Sequence, residues 1–254
     1  MSNTVLKELK DGILLLTMNR PDKKNSFNSE QWKSLAAELD AARENDDVTV
    51  VVITGAGTDF SAGQDLKDAG VPGALMSYRI LERAMIDFDK PLVAAARGVA
   101  VGGGATMLFH CDIVYVGESL RLRMPFNSLA MAPEFASSYL LQALIGPQRA
   151  AEFLMTTEWV DADKAVAVGI ASRKCKDDEL LASAMTKAAE IAQWPLISLR
   201  ETKRCLKAAH KAGIEAAIKI EHEAMDRLAD TPEKTEAMMA FIEKRKPNFR
   251  NLKK

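Results

Sequence analysis

Thr49-Val50-Val51-Val52-Ile53-Thr54, closed by Gly55-Ala56-Gly57, is the stretch that decides the architecture of this chain. A short β-branched run without polar alternation reads as a strand buried on both faces, which is how strands of helix-covered parallel sheets look. Working outward, similar runs span Leu92 to Ala96 and Ile113 to Val116. Helical patterns lie between them. Asn28 or Ser29 can cap a helix carrying Trp32, Leu35, Ala36, Leu39 and Ala42, a second helix fits Gly73 to Ile86, and another starts at Gly102-Gly103-Gly104. Upstream, Val5 to Leu9 and Ile13 to Asn19 flank Asp11-Gly12, a dipeptide that favours a tight hairpin. This alternation predicts an α/β fold with parallel strands joined by crossover helices.

Strand signals almost vanish after Ala136. Helices fit Ala136 to Ile145, Pro147 to Thr156, Ala162 to Val168, Asp177 to Gln193, Leu196 to Lys211 and Ile214 to Ala229. Gly146, Gly169 and Gly213 fall where helix C-caps belong, and Thr231-Pro232 opens a last helix. The expected organisation is a core over 1–195 followed by a helical C-terminal region over 196–254.

Composition narrows the function. Of 254 residues 48% are hydrophobic, so a large core is available, and 34 Lys plus Arg against 35 Asp plus Glu leave a net charge of −1. That balance argues against nucleic acid or an anionic membrane as partner. No window approaches the apolar length of a membrane helix. Met1-Ser2-Asn3-Thr4 lacks the basic and apolar regions of a signal peptide, which favours a cytoplasmic location. Cys111, Cys175 and Cys205 are odd in number and widely spaced, and His110, His210 and His222 are scattered, so neither a disulfide framework nor a metal site is expected. His210 and His222, in stretches rich in Lys and Glu, read as solvated.

Two glycine-bearing loops follow buried strands: Asp59-Phe60-Ser61-Ala62-Gly63-Gln64-Asp65-Leu66 and Gly98-Val99-Ala100-Val101-Gly102-Gly103-Gly104. Ligands of α/β folds bind at the carboxyl ends of strands, where both loops belong. Glycine leaves backbone amides uncovered, and small residues entering a helix add the positive end of its dipole. Side by side, the loops could aim two N–H groups at one developing oxyanion. Tight turns and close packing would account for either loop taken alone.

These segments, with Asn19-Arg20-Pro21 to Asn25-Ser26-Phe27-Asn28, Lys90-Pro91-Leu92-Val93-Ala94-Ala95, Cys111-Asp112-Ile113, Val160-Asp161-Ala162 to Gly169-Ile170-Ala171 and Phe241-Ile242-Glu243-Lys244-Arg245-Lys246-Pro247, closely resemble the crotonase (enoyl-CoA hydratase/isomerase) superfamily. The resemblance runs in family order over nearly the whole chain. It implies a crotonase-like spiral of ββα units, a helical C-terminal trimerisation region giving a homotrimer or dimer of trimers, and acyl-CoA thioester substrates, with no cofactor beyond the CoA of the substrate. It assigns the oxyanion-hole amides to Gln64 and Gly103. Ala62, Gly63, Asp65 and Leu66 would lie along the CoA path, with Asp65 shaping the loop.

Hydratases of this superfamily carry two glutamates, where this chain has Thr106 and Phe126. The stretch Met124-Pro125-Phe126-Asn127-Ser128-Leu129-Ala130-Met131-Ala132-Pro133-Glu134-Phe135-Ala136-Ser137-Ser138-Tyr139 is instead similar to the Δ3,Δ2-enoyl-CoA isomerase branch, which implies Glu134 as a single acid–base group. Apolar neighbours suit a carboxyl with a raised pKa. By position alone, Glu134 could equally be a helix N-terminal acid. Phe126 and Leu129 would wall an acyl pocket. Asp59, Asp68, Asp112 and the adjacent His110-Cys111 pair read as structural. For the CoA phosphates, Arg20, Lys23 and Lys24 are candidates, together with Phe241 and Lys244 on the last helix.

Overall fold

The structure, a computed structural model, describes residues 3–68 and 74–252. The chain opens with the hairpin β1 (Val5–Lys10) and β2 (Ile13–Met18), then α1 (Ser29–Glu44), β3 (Val50–Gly55), α2 (Ala74–Asp87) and β4 (Leu92–Ala96). Next come β5 (Val99–Val101), the single turn α3 (Gly103–Thr106), β6 (Ile113–Gly117) and β7 (Arg121–Arg123). Asp11 and Gly12 both adopt positive φ, the conformation a two-residue primed turn demands. Asn28 caps α1 by accepting from Gln31 N at 3.0 Å.

Two sheets result. The larger has six strands in the order β1-β2-β3-β4-β6-β9, where β9 is Arg173–Cys175. The smaller joins β5, β7 and β8 (Val160–Asp161). From β2 to β9 all neighbours in the large sheet are parallel. The chain alternates between sheets, passing from β4 to β5 and from β6 to β7, so each turn of the spiral adds a strand to each. Strand β5, sequence-read as loop, is three residues set among glycines. Strands β7, β8 and β9 escaped notice because Arg121-Leu122-Arg123, Val160-Asp161 and Arg173-Lys174-Cys175 are short and largely polar.

The apolar runs bury both faces. Leu16, Met18, Val51, Ile53, Leu92, Ala94 and Val116 join the main core with Trp32, Leu35 and Leu39 of α1. The alternate residues Val50, Val52, Val93, Ala95 and Tyr115 face Leu180, Ala184 and Ala188 of the later helix α7 (Leu180–Ala192). The period-2 alternation of strand side chains thus serves two helical layers.

The C-terminal half contains α4 (Ser137–Ile145), α5 (Pro147–Thr156), α6 (Ala162–Val168), α7, α8 (Leu196–Ala208), α9 (Lys211–Leu228) and α10 (Pro232–Ile242). Gly146 and Gly169 end helices as expected, both at positive φ. Gly213 does not. It lies inside α9, which starts at Lys211, and its missing side chain makes room for the Tyr139 ring, 2.4 Å from where a Cβ would sit. Helix α7 begins at Leu180 instead of Asp177, and of the expected helix over Gly73 to Ile86, Gly73 lies outside the described residues. Among the described residues no helix is long and apolar enough to cross a membrane.

Buried lysines tie helix ends to the core. Lys90 Nζ donates to the carbonyls of Ala42, Asn45 and Val48 at 2.7, 2.7 and 2.8 Å, at the negative end of α1. Lys207 does the same for the carbonyls of Ile86 and Phe88 at the end of α2, and burial pulls its pKa down to about 8. Lys203 of α8 donates to Lys90 O at 2.6 Å and to Asp112 Oδ2 at 2.8 Å, while Asp112 also accepts from Leu92 N at 2.7 Å. Asp112 is structural, as read from sequence. Lys203→Met should therefore lower the denaturation midpoint, at a cost of roughly 2–3 kcal/mol because Asp112 keeps some access to water and loses less than a fully buried partner would. Equilibrium urea unfolding measures this.

Candidate functional site

The two glycine loops are stitched together by main-chain bonds. Ser61 N donates to Val99 O at 2.9 Å and Val101 N to Ser61 O at 2.9 Å, a parallel bridge between Ser61 and Ala100. Beside it, Phe27 N donates to Gly63 O at 2.7 Å and Asp65 N to Phe27 O at 2.8 Å. The Gly63 carbonyl and the Asp65 amide thus serve Phe27, which turns the intervening Gln64 N–H to the other side. Gly63, at φ +79°, lies so close to Val101 that a Cβ would come 2.4 Å from its carbonyl oxygen. Gly103 is the first residue of α3, a position whose N–H has no intrahelical acceptor.

Over this junction lies Glu134. A Cβ added to Gly103 would be 3.2 Å from Glu134 Oε1 and 2.7 Å from Trp32 Cη2, and one added to Gly102 would be 3.8 Å from the same Oε1. The carboxyl therefore rests on the glycine backbone, with the indole edge as its neighbour. Glu134 is half-buried, and desolvation, reinforced by the like charges of Glu221 and Glu82, pushes its pKa up to about 8 against an opposing pull from Lys234. A carboxyl so tuned can exchange a proton near neutral pH. Glu134 is not a helix residue: Phe135 and Ala136 follow it at φ +56° and +53°, and α4 starts only at Ser137.

Other expected residues fall as follows. Asp65 pairs with Arg20 at 2.9 Å, and Arg20 also donates to Ser26 O, so Arg20 braces the loop and is not a free phosphate ligand. Ala62 N donates to Lys24 O at 2.9 Å, while the Lys23 and Lys24 side chains are exposed beside it. Leu66 and Leu129 are half-buried and Phe126 is buried in the main core. The Thr106 hydroxyl donates to Gly102 O at 3.2 Å. Phe241, near the end of α10, is 56% exposed, and Lys244, two residues past the helix, is exposed as well. Of the residues set aside as structural, Asp59 accepts from Val99 N at 2.8 Å and Asp68 from Ser29 N at 2.7 Å, each fixing a loop. His110 Nε2 donates to Phe135 O, 2.7 Å away, and Cys111 is pushed up to about 12 by burial. Among the described residues no group of three or more His, Cys, Asp or Glu could hold a metal ion.

Sequence reading missed several participants. Trp32, read only as a core residue, stacks on Phe27 at 3.8 Å and donates Nε1–H to Gln64 Oε1 at 2.9 Å, clamping the loop whose amide points at the site. Its indole nitrogen was the available signal, since a buried Trp N–H needs an acceptor. His222 is not solvated: it meets the buried Glu82 at 2.8 Å. His210 lies 3.2 Å from the Tyr139 hydroxyl. Glu82, Tyr78 and Glu221 carried no pattern in sequence that set them apart from surface charge.

Comparisons with known proteins converge on one family. The family model described as enoyl-CoA hydratase/isomerase matches residues 8–252. The chain is 30% identical to the 1,2-epoxyphenylacetyl-CoA isomerase of Escherichia coli K12, over 98% of this chain and 99% of that protein. It is 31% identical to the 2,3-dehydroadipyl-CoA hydratase of the same organism, over 94% and 95%. A crystal structure of an enoyl-CoA hydratase/isomerase from Pseudoalteromonas atlantica T6c superposes with a TM-score of 0.91 at 34% identity, covering 97% of this chain and 99% of that one. With the spiral of paired strands, the stitched glycine loops and a full-length match, the chain belongs to the enoyl-CoA hydratase/isomerase family, the crotonase superfamily.

Proposed function

We propose that this protein is a Δ3,Δ2-enoyl-CoA isomerase in which Glu134 alone moves the proton. The observation that carries the reading is the Glu134 carboxyl resting on the Gly102–Gly103 backbone, with a pKa lifted toward neutrality, where Thr106 and Phe126 occupy the positions of the hydratase glutamates. Ionised Glu134 takes a proton from C2 of a 3-enoyl thioester. The electron pair spreads through the C3=C4 bond system onto the thioester oxygen, where the Gln64 and Gly103 amides stabilise the dienolate, each donor contributing about 3–4 kcal/mol. Glu134 then returns the proton at C4, leaving a C2=C3 double bond and a regenerated carboxylate. No water is added, so no second acid is needed. The Thr106 hydroxyl, committed to Gly102 O, offers no route for hydration.

The CoA moiety would run past Ala62, Gly63 and Leu66, with Lys23 and Lys24 as exposed phosphate partners. Phe241 and Lys244 would reach CoA from α10, in a trimer on a neighbouring subunit. One Escherichia coli relative is named an isomerase, though of an epoxide, and the other a hydratase, which makes hydration the outcome to exclude. Supplying 3-hexenoyl-CoA and crotonyl-CoA in parallel does so. Conjugated absorbance should appear from the first and persist in the second; its loss from crotonyl-CoA would establish a hydratase.

Glu134→Gln should lower kcat roughly 100- to 10,000-fold with folding intact, as expected for loss of a general base. Because the base must be ionised and its pKa is about 8, kcat/KM should rise with pH through that value and fall below it. A flat profile from pH 6 to 9 would contradict the assignment. Gly103→Ala, whose methyl would press on Trp32 and Glu134, should lower kcat about 100-fold or more, whereas Gln64→Ala keeps its amide and should retain most activity while losing roughly 1–3 kcal/mol of stability from the unpaired indole N–H.

A further inference from the structure

Two buried carboxylates that the mechanism above does not use lie immediately behind Glu134. Glu82 on α2 is 3% exposed and Glu221 on α9 is 2% exposed. Among the described residues neither is paired with a lysine or arginine: Glu82 meets His222, and Glu221 is held by backbone amides and the Ser138 hydroxyl. Glu221 Oε2 accepts from Ala136 N and Oε1 from Ser138 N, each at 2.8 Å. Glu82 Oε1 accepts from Phe135 N at 3.2 Å and from the Tyr78 hydroxyl at 2.7 Å. The amides held are those of Phe135, Ala136 and Ser138. The first two are the consecutive left-handed residues, in a conformation that costs a side-chain-bearing residue energy unless its surroundings enforce it. Burying two acids to enforce it is costly in turn, so the arrangement demands a purpose beyond packing.

We propose that Glu221, seconded by Glu82, is a positioning residue for the proton-transfer group: its carboxylate grips the Ala136 and Ser138 amides while Glu82 takes that of Phe135, and the turn so held fixes the Glu134 carboxyl over the oxyanion loop. The inference rests on reading Glu134 as that group. It assigns a catalytic duty to α9, the helix of the C-terminal region that enters the core, and it links the turn's geometry to its electrostatics. The titratable and charged groups facing Glu134 are Tyr78 and Glu82 from α2, Glu221 and, through Glu82, His222 from α9, and Lys234 from α10. The acids outnumber Lys234, whose own pKa burial pulls down, so the local field favours a protonated Glu134. Removing the charge of Glu221 should ease ionisation of Glu134, while removing its two acceptor oxygens should loosen the turn.

The test uses Glu221→Gln and Glu82→Gln in the full-length protein, with folding checked by near-ultraviolet circular dichroism. Glutamine at 221 places an amide NH2 against one of two backbone donors and breaks the grip. Expected is a fall in kcat of roughly 10- to 100-fold with KM changed less than about threefold, the signature of a misplaced group and not of lost binding. In the same variant the pH midpoint should move down by about one unit, since a like charge has gone. Glu82→Gln keeps one acceptor for Phe135 N and Tyr78, so its midpoint should fall with kcat at high pH largely retained; it also carries the test if Glu221→Gln does not fold. The Glu134 midpoint is read independently of turnover by carbon-13 NMR of side-chain-labelled glutamate, its signal identified by absence in Glu134→Gln. Unchanged midpoints in both variants, or an equal loss of kcat at every pH, would overturn the proposal. Failure of the wild-type protein to isomerise 3-hexenoyl-CoA, with NMR midpoints that still shift in the two variants, would instead sink the isomerase reading and leave the coupling standing.

Discussion

The pairing of Ser61 with Ala100 through their backbones is the constraint on which the site depends. Those bonds lock the loop after β3 to β5, and Gly63 lets the two strands of chain approach until only hydrogen separates them. Two amides from segments about forty residues apart are thereby fixed by main chain, without side-chain freedom to be frozen later. Preorganised donors of this sort act without reorganising when charge develops. The spiral serves that junction: the two sheets carry the two loops, and α1 supplies Trp32 as a clamp from the side.

Charge is handled differently on the two sides of the molecule. Away from the site, Lys90, Lys203 and Lys207 neutralise helix ends and Asp112, so that their burial is compensated by carbonyls and a carboxylate. Around Glu134 the balance is left unfavourable, with Glu82 and Glu221 close and a single partly buried lysine opposing them. The first arrangement stabilises the fold. The second holds a carboxyl with a raised pKa, the state the proposed proton transfer needs, and local stability is forgone for it.

Much of this was legible in the residues, and the boundary of legibility has physical causes. The strands at Val50, Leu92 and Ile113 showed because both faces are buried, and the Asp11-Gly12 hairpin because few dipeptides accept two positive φ values. The glycine loops showed because amides can be exposed only where side chains are absent, whereas Glu134 stood out through the resemblance to the isomerase branch, its apolar neighbours only agreeing with that. What stayed hidden depends on distant chain segments meeting. Nothing local distinguishes Glu221 from the solvated Glu223 two residues on, and the short β7, β8 and β9 owe their form to partners, not to propensity. Gly213 misled for the same reason: its smallness answers a tyrosine seventy-four residues upstream, not a helix end.

Helix α9 reaches back from residue 221 to grip the backbone at 136 and 138. A nascent chain lacking that helix would already contain Gln64, Gly103 and Glu134, yet the turn after Glu134 would lack the acceptors for Ala136 N and Ser138 N. On the proposal above, competence would therefore wait until residue 221 has emerged from synthesis, well after the residues that would do the chemistry.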